Sequence, residues 1–195
     1  MDCIERRRSI RRYKPAAVKR ELIDTVINAA RLAPSAKNRQ PWKYIVYASR
    51  EKDRLLDVME RSLLKEQETH ALLPNSRSAL ADAFHTLHIM KTAPDIVIVM
   101  NTNGQNPFEP VDADARMTEI SDSLSIGASV ENMLLMAADL GLGALWIANT
   151  CFAYHDLMEF IGEKGQLVGA VALGYADEQP PARPRKELSE VLEYR

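Results

Sequence analysis

The chain has 195 residues, of which 46% are hydrophobic and 27% charged, and its formal net charge is −2. This length suits a single domain over residues 1–195, and the composition is typical of a soluble globular protein. The small net charge argues against nucleic-acid or anionic-membrane binding through bulk charge, and no stretch approaches the roughly 18 apolar residues of a membrane span.

The predicted elements alternate between helices and strands. Apolar residues at helical spacing predict an amphipathic helix from Glu21 to Ala33, which Pro34 ends. A continuous apolar run at Asp95–Met100 predicts a strand buried on both faces. The other predicted elements are, in chain order, a short basic helix within residues 2–12, a strand at Tyr44–Tyr47, helical residues 51–91 with a break near Leu73–Ser76, a loop from Asn101 to Arg116, a helix from Met117 to Leu140, a strand at Ala144–Ile147, a helix at His155–Ile161, a strand at Gln166–Tyr175 and a Pro-rich tail at Ala176–Arg195. This order predicts an α+β protein with one sheet covered by helices.

Three segments concentrate groups that bind anions or polar rings. The first is Arg7-Arg8-Ser9-Ile10-Arg11, whose guanidinium groups match phosphate geometry. The second is the loop from Pro34 to Trp42, which is rich in small hydrogen-bonding side chains. The third is Pro181-Ala182-Arg183-Pro184-Arg185-Lys186, which the prolines hold extended. Taken alone, the first and third segments fit an ordinary basic surface better than a binding site, and the second fits turn chemistry equally well.

Taken together and in this order, the segments resemble the nitroreductase family. The resemblance is carried by Arg-Arg-Ser-x-Arg, by Pro-Ser-x-x-Asn-x-Gln-Pro-Trp soon after it, by Gly141–Ile147 after a long helix, and by Leu173-Gly174-Tyr175 before the basic tail. It implies a nitroreductase-like α+β fold, with a central mixed, mainly antiparallel sheet flanked by helices. It also implies an intertwined homodimer that binds FMN at the interface.

The resemblance assigns the site residues to both subunits. Arg7, Arg8 and Ser9 meet the phosphate and ribityl end of FMN, Arg11 lies near the N1/O2 edge, and Arg183 and Arg185 complete the phosphate site. The partner protomer supplies Pro34, Ser35, Ala36, Asn38 and Gln40. The backbone of Ile147, Ala148 and Asn149 lines the ring near N5. Some family members carry a glutamate or a glycine pair at Ala148-Asn149, so a backbone N–H is the expected contact there.

The implied activity is hydride transfer from NADH or NADPH, through flavin N5, to a nitroaromatic, quinone or similar electron-poor acceptor by a ping-pong mechanism. No catalytic side chain is expected, because the chemistry belongs to the cofactor. Alternatives on the same scaffold are a dehalogenase, a flavin-fragmenting enzyme and a non-catalytic flavin-binding protein. The Glu-Tyr-Lys lid of the dehalogenases is not visible in the sequence. A basic-tailed binding module without flavin is a further alternative.

Other signals are weaker. His85 and His88 stand at i, i+3 but lack a third ligand, so no metal site is expected. Region 50–116 matches no motif and is assigned to the mouth of the site, with Phe108 and Trp42 as substrate-facing candidates. Cys3 and Cys151 have no metal or CxxC spacing, and the N-terminus has no apolar signal region. These features predict free thiols in a cytoplasmic protein.

Overall fold

The computed structural model describes residues 2–195, without the side chain of Asp2. Seven α-helices and four strands are found among these residues, and their order confirms the predicted α+β class. The helices are α1 (Asp2–Arg6), α2 (Arg20–Arg31), α3 (Ser49–Thr69), α4 (Arg77–Thr92), α5 (Ala113–Asp139), α6 (Tyr154–Ile161) and α7 (Leu188–Val191). The strands are β1 (Trp42–Ala48), β2 (Asp95–Asn101), β3 (Gly143–Ile147) and β4 (Gln166–Gly174).

The four strands form one sheet in the order β1-β2-β4-β3, and all three pairings are antiparallel. The parallel part of the predicted mixed sheet is a single bridge between Ser9 and Ala144 at the β3 edge. β2 occupies the centre, and every one of its residues is buried. The continuous apolar run at 95–100 is therefore a strand covered on both faces, as predicted.

Helices cover both faces of the sheet and divide the core into two clusters. Along β2, Ile96, Ile98 and Met100 pack with α3, α4 and α6, whereas Val97 and Val99 pack with α2 and α5. This alternation follows from the two-residue period of side chains along a strand. Helix α5 therefore lies on one face of the sheet, and α4 lies on the other.

The predicted helix over residues 2–12 is wrong beyond Arg6. Residues 7–13 are not helical: Ser9 forms a parallel bridge with Ala144 of β3, and the Ile10 backbone N–H donates to the Ala144 carbonyl at 3.1 Å. Gly143 makes this approach possible, because a Cβ there would lie 2.8 Å from a side-chain carbon of Ile10. The segment therefore gains strand-edge hydrogen bonds that a continued helix would not provide.

The long helix begins at Ala113, four residues before the predicted start at Met117. Asp112 caps it, because its side chain accepts a hydrogen bond from the Ala115 backbone N–H at 2.8 Å. The preceding loop is correspondingly shorter than predicted.

No helix within residues 2–195 combines the length and the apolar character needed to cross a bilayer.

Candidate functional site

The N-terminal and C-terminal basic segments are brought together by backbone pairing. Tyr13 forms an antiparallel bridge with Ala176, and the Asp177 backbone N–H donates to the Arg12 carbonyl at 2.9 Å. Tyr13 is buried, and its hydroxyl donates to the carbonyls of Ile10 at 2.8 Å and Ala172 at 3.2 Å. Burial raises the pKa of this phenol, so it stays a neutral donor and anchors the segment.

The two paired segments line an open cavity of about 560 Å³. We call it the arginine cavity, because five of the predicted site residues that line it are arginines: Arg7, Arg8, Arg11, Arg183 and Arg185. Ser9 lines it as well. The structure therefore joins the first and third motifs, which lie at opposite ends of the sequence.

The arginines are partly held by the protein itself. Arg7 Nε lies 3.6 Å from Glu131 Oε1 on α5. Arg8 Nη1 donates to the carbonyls of Glu5 at 2.6 Å and Arg7 at 2.8 Å. Neither interaction uses all the donors of a guanidinium fork, so the cavity can receive an anionic group with several charge-assisted hydrogen bonds.

Arg11 also lines a second cavity, of about 280 Å³, at the end of β3. We call this second one the strand-end cavity. It is lined by Leu145–Asn149, which include the predicted contacts Ile147, Ala148 and Asn149. Two of the predicted groups of site residues, the arginines and the end of β3, therefore lie next to each other through Arg11.

Helix α4 lies in the 50–116 region that the sequence assigns to the mouth of the site, and it contributes residues to the strand-end cavity that no motif singles out. Asp82, His85, Thr86 and Ile89 line it, and Asn149 Nδ2 donates to Thr86 Oγ1 at 3.0 Å. In the sequence, His85 stands out only through its i, i+3 spacing to His88. No sequence motif pointed to α4, and only the one-turn spacing of Asp82, His85/Thr86 and Ile89 could have suggested a common face.

The remaining predicted site residues lie outside both cavities. Pro34, Ser35, Ala36, Asn38 and Gln40 form a loop between α2 and β1 that rests on α5. The Ala36 backbone N–H donates to Ser125 Oγ at 3.2 Å, and the Gln40 N–H donates to Ser35 Oγ at 3.0 Å. A single chain does not bring this loop to the arginines.

Two further candidates are packed into the protein rather than presented to either cavity. Phe108 contacts the rings of Tyr154 and His155 at centroid distances of 5.5 and 5.3 Å. Trp42, in β1, packs against the core on the α2/α5 face.

Burial raises the pKa of the Cys151 thiol, which disfavours a reactive thiolate. No cluster of three potential metal ligands occurs among residues 2–195.

Comparison with known proteins identifies the family. A model described as the nitroreductase family matches residues 4–175. The chain belongs to the nitroreductase family. This match confirms the family and the oxidoreductase class predicted from the motifs. A Methanothermobacter thermautotrophicus protein with the provisional name NADH dehydrogenase/NAD(P)H nitroreductase is 29% identical over 94% of this chain and 80% of its own length.

Solved structures of nitroreductase-like proteins share the fold. A BluB-like flavoprotein from Clostridium difficile has a TM-score of 0.80 and 24% identity over 99% of this chain and 97% of its own. A provisionally named nitroreductase from Desulfovibrio desulfuricans, solved in complex with FMN, has a TM-score of 0.72 and 26% identity over 100% of this chain and 95% of its own. The predicted nitroreductase-like fold is confirmed.

Proposed function

We propose that this nitroreductase-family protein binds FMN and uses NADH or NADPH to reduce an electron-poor small molecule. The observation that carries the proposal is the set of five arginines that line one cavity, of which Arg11 also lines the strand-end cavity. The Desulfovibrio relative with bound FMN supports the choice of cofactor.

The residues present fit FMN chemically. The phosphate of FMN is an anion, and Arg7, Arg8, Arg183 and Arg185 offer guanidinium forks that match it. The isoalloxazine ring is flat, with polar edges, and the strand-end cavity offers backbone groups of residues 147–149 beside it. When bound, FMN supplies the redox centre that accepts and donates hydride.

The chain itself supplies charge, orientation and an aromatic surface. Arg11 places a positive charge between the two cavities, and this charge favours additional negative charge on a ring bound beside it. Thr86 holds Asn149 and thereby fixes the end of β3. Trp146, 43% exposed, lines the same cavity with an aromatic surface. No acid–base side chain is needed for this role.

We further propose that each site is completed by a second copy of the chain. Three large apolar side chains on α5 are exposed at helical spacing, namely Met117 at 65%, Ile120 at 45% and Leu124 at 71%. An apolar stripe of this kind on a helix is typical of an interface. The Pro34–Trp42 loop rests on the same helix, so pairing of two α5 helices would bring this loop towards the partner's cavities.

The acceptor we propose is a nitroaromatic or quinone. A dehalogenase is the second candidate, because the iodotyrosine deiodinase of Hydra vulgaris is 25% identical over 95% of this chain and 69% of its own length. A flavin-fragmenting reaction, which the family resemblance leaves open, is the third. The cytoplasm is the proposed location, since a reducing compartment suits two free cysteines.

Steady-state kinetics with the FMN-loaded protein test this function. NADH or NADPH is varied at several fixed concentrations of a nitroaromatic and of a quinone, with iodotyrosine and oxygen as the competing acceptors. We expect parallel lines in double-reciprocal plots, because donor and acceptor react in separate half-reactions. Deiodination without reduction of the nitroaromatic or quinone would support the second candidate, and loss of flavin in oxygen would support the third.

A further inference from the structure

Arg39 belongs to the Pro34–Trp42 loop, but no predicted role was attached to it. Its guanidinium reaches α5, where Nε and Nη2 contact Asp122 Oδ1 at 2.9 and 2.7 Å. Nη2 also donates to Ser121 Oγ at 2.7 Å. The Asp122 side chain is only 1% exposed, and that of Arg39 is 26% exposed. The pair is therefore a specific, largely buried contact rather than a loose surface ion pair.

The loop that Arg39 anchors has a strained backbone. Lys37, Asn38 and Gln40 have φ values of 53°, 53° and 48°, in the left-handed region that side chains other than glycine rarely adopt. Such conformations persist only where surrounding contacts determine them. Arg39 stands between these residues, so its contact with Asp122 fixes the loop at its centre.

Asp122 also holds a second loop. Its Oδ2 accepts a hydrogen bond from Asn103 Nδ2 at 3.2 Å, just after β2 ends. The two loops touch again where the Thr102 backbone N–H donates to the Pro41 carbonyl at 2.7 Å. One buried carboxylate thus ties the Pro34–Trp42 loop and the start of the 102–112 loop to the same turn of α5.

We propose that Asp122 is a positioning residue for the FMN site. It acts through Arg39 and holds the Pro34–Trp42 loop in the conformation that contacts the cofactor of the partner subunit, a role that rests on the proposed function. Asn103 extends the same attachment to the loop before α5. A buried carboxylate suits this role, because loss of its charge leaves the Arg39 guanidinium in a poorly hydrated position without its counter-ion.

The test compares three single variants with the full-length wild type. Asp122→Asn keeps the shape but removes the charge, and Arg39→Lys keeps the charge but removes the planar fork. Lys164→Ala is the control, since it removes an exposed positive charge outside the proposed binding site. We expect about tenfold weaker FMN binding for the first two variants and less than a twofold change for the control.

Hydrogen exchange on the FMN-free protein separates this role from general destabilisation. Asp122→Asn should raise exchange at the amides of residues 36–40 while exchange in β2 and β4 stays at the wild-type level. Unchanged exchange in the loop, or unchanged FMN affinity in both variants, would overturn the positioning role. If Asp122→Asn does not fold, the FMN affinity and the loop exchange of Arg39→Lys test the positioning role instead. A wild type that binds no FMN refutes the proposed function, whereas the exchange data still test whether Asp122 holds the loop.

Discussion

At the scale of single residues, the arginines of the arginine cavity differ in how far the chain already engages them. Arg7 has a carboxylate partner, with 3.6 Å between its Nε and Glu131 Oε1. Arg185 Nη1 donates to the carbonyls of Arg183 and Pro184, at 3.4 and 3.3 Å, and has no carboxylate partner in the part of the chain that the structure describes. Arg185 is therefore more available for an anionic ligand. Both belong to the proposed phosphate site, so their replacement should weaken the same ligand.

Replacement of Arg7 or Arg185 by alanine should weaken FMN binding by roughly tenfold to a hundredfold. Loss of one charge-assisted hydrogen bond costs about 1.5–3 kcal/mol, and about 1.4 kcal/mol corresponds to a tenfold change in affinity. Quenching of flavin fluorescence on titration measures the affinity. Arg20→Ala removes an exposed arginine at the start of α2 and is the matched control. Wild-type FMN affinity in both cavity variants would refute the phosphate assignment.

Asp95, at the start of β2, predicts a pH-dependent stability. Burial raises the pKa of its carboxyl above 3.8, and the backbone N–H of Val18 and the charge of Lys52 offset this only in part. Because the folded pKa exceeds the unfolded one, ionisation opposes folding. This cost is absent below pH 3.8 and grows as the pH rises through the raised pKa.

Asp95→Asn should therefore raise the free energy of unfolding at pH 7, with a gain that shrinks as the pH falls towards 4. Urea unfolding at several pH values measures this dependence. Asp24→Asn, on the exposed side of α2, removes a carboxylate without burial and should show no such trend. A gain that increases towards low pH would contradict the burial of an ionised carboxyl as the cause.

At the scale of elements, the strands and most helices follow from local patterns in the sequence. The apolar run at 95–100 and the break near residues 73–76 both correspond to what the structure contains. The start of α5 was missed because apolar spacing begins at Met117, although Asp112 is a typical N-cap residue. Residues 7–13 could not be assigned from local signals, since their non-helical form depends on the distant β3.

The candidate site likewise has parts that the sequence predicts and parts that it does not. Its arginines and the Pro34–Trp42 loop were recognisable from motifs of residues close in sequence. The individual residues of α4 and the Arg39–Asp122 pair were not, because their contacts arise when residues more than 60 positions apart pack together. Tertiary contacts of this kind leave no motif of neighbouring residues in the sequence.

The loop before α5 remains a candidate for acceptor selection. Replacement of residues 105–111 by a Gly/Ser segment keeps Asn103 on Asp122 and the Asp112 cap, but removes Phe108 from Tyr154 and His155. We expect FMN affinity within twofold of wild type and at least a threefold change in the ratio of kcat/KM values for a quinone and a nitroaromatic. That ratio is measured with each acceptor separately. An unchanged ratio would show that this loop does not contribute to acceptor selection.

At the scale of the whole molecule, the proposed dimer accounts for the separation between the Pro34–Trp42 loop and the cavities. Leu124→Glu places a charge in the exposed apolar stripe of α5 and should shift the protein to monomers that lose FMN, since a buried unpaired charge is strongly unfavourable. Light scattering after size exclusion, together with flavin absorbance, measures both effects. Leu64→Glu, on α3 and 49% exposed, is the matched control. A monomer that retains FMN would contradict a shared site.

Anaerobic titration of the FMN-loaded protein with NADH and with NADPH tests the central claim most directly. A flavin held beside Arg11 and the end of β3 should lose its visible absorbance with about one equivalent of at least one of the two donors. The absorbance should return when a nitroaromatic or quinone is added without oxygen. Protein that takes up no FMN, or bound FMN that neither donor bleaches, would contradict an NAD(P)H-dependent flavin oxidoreductase.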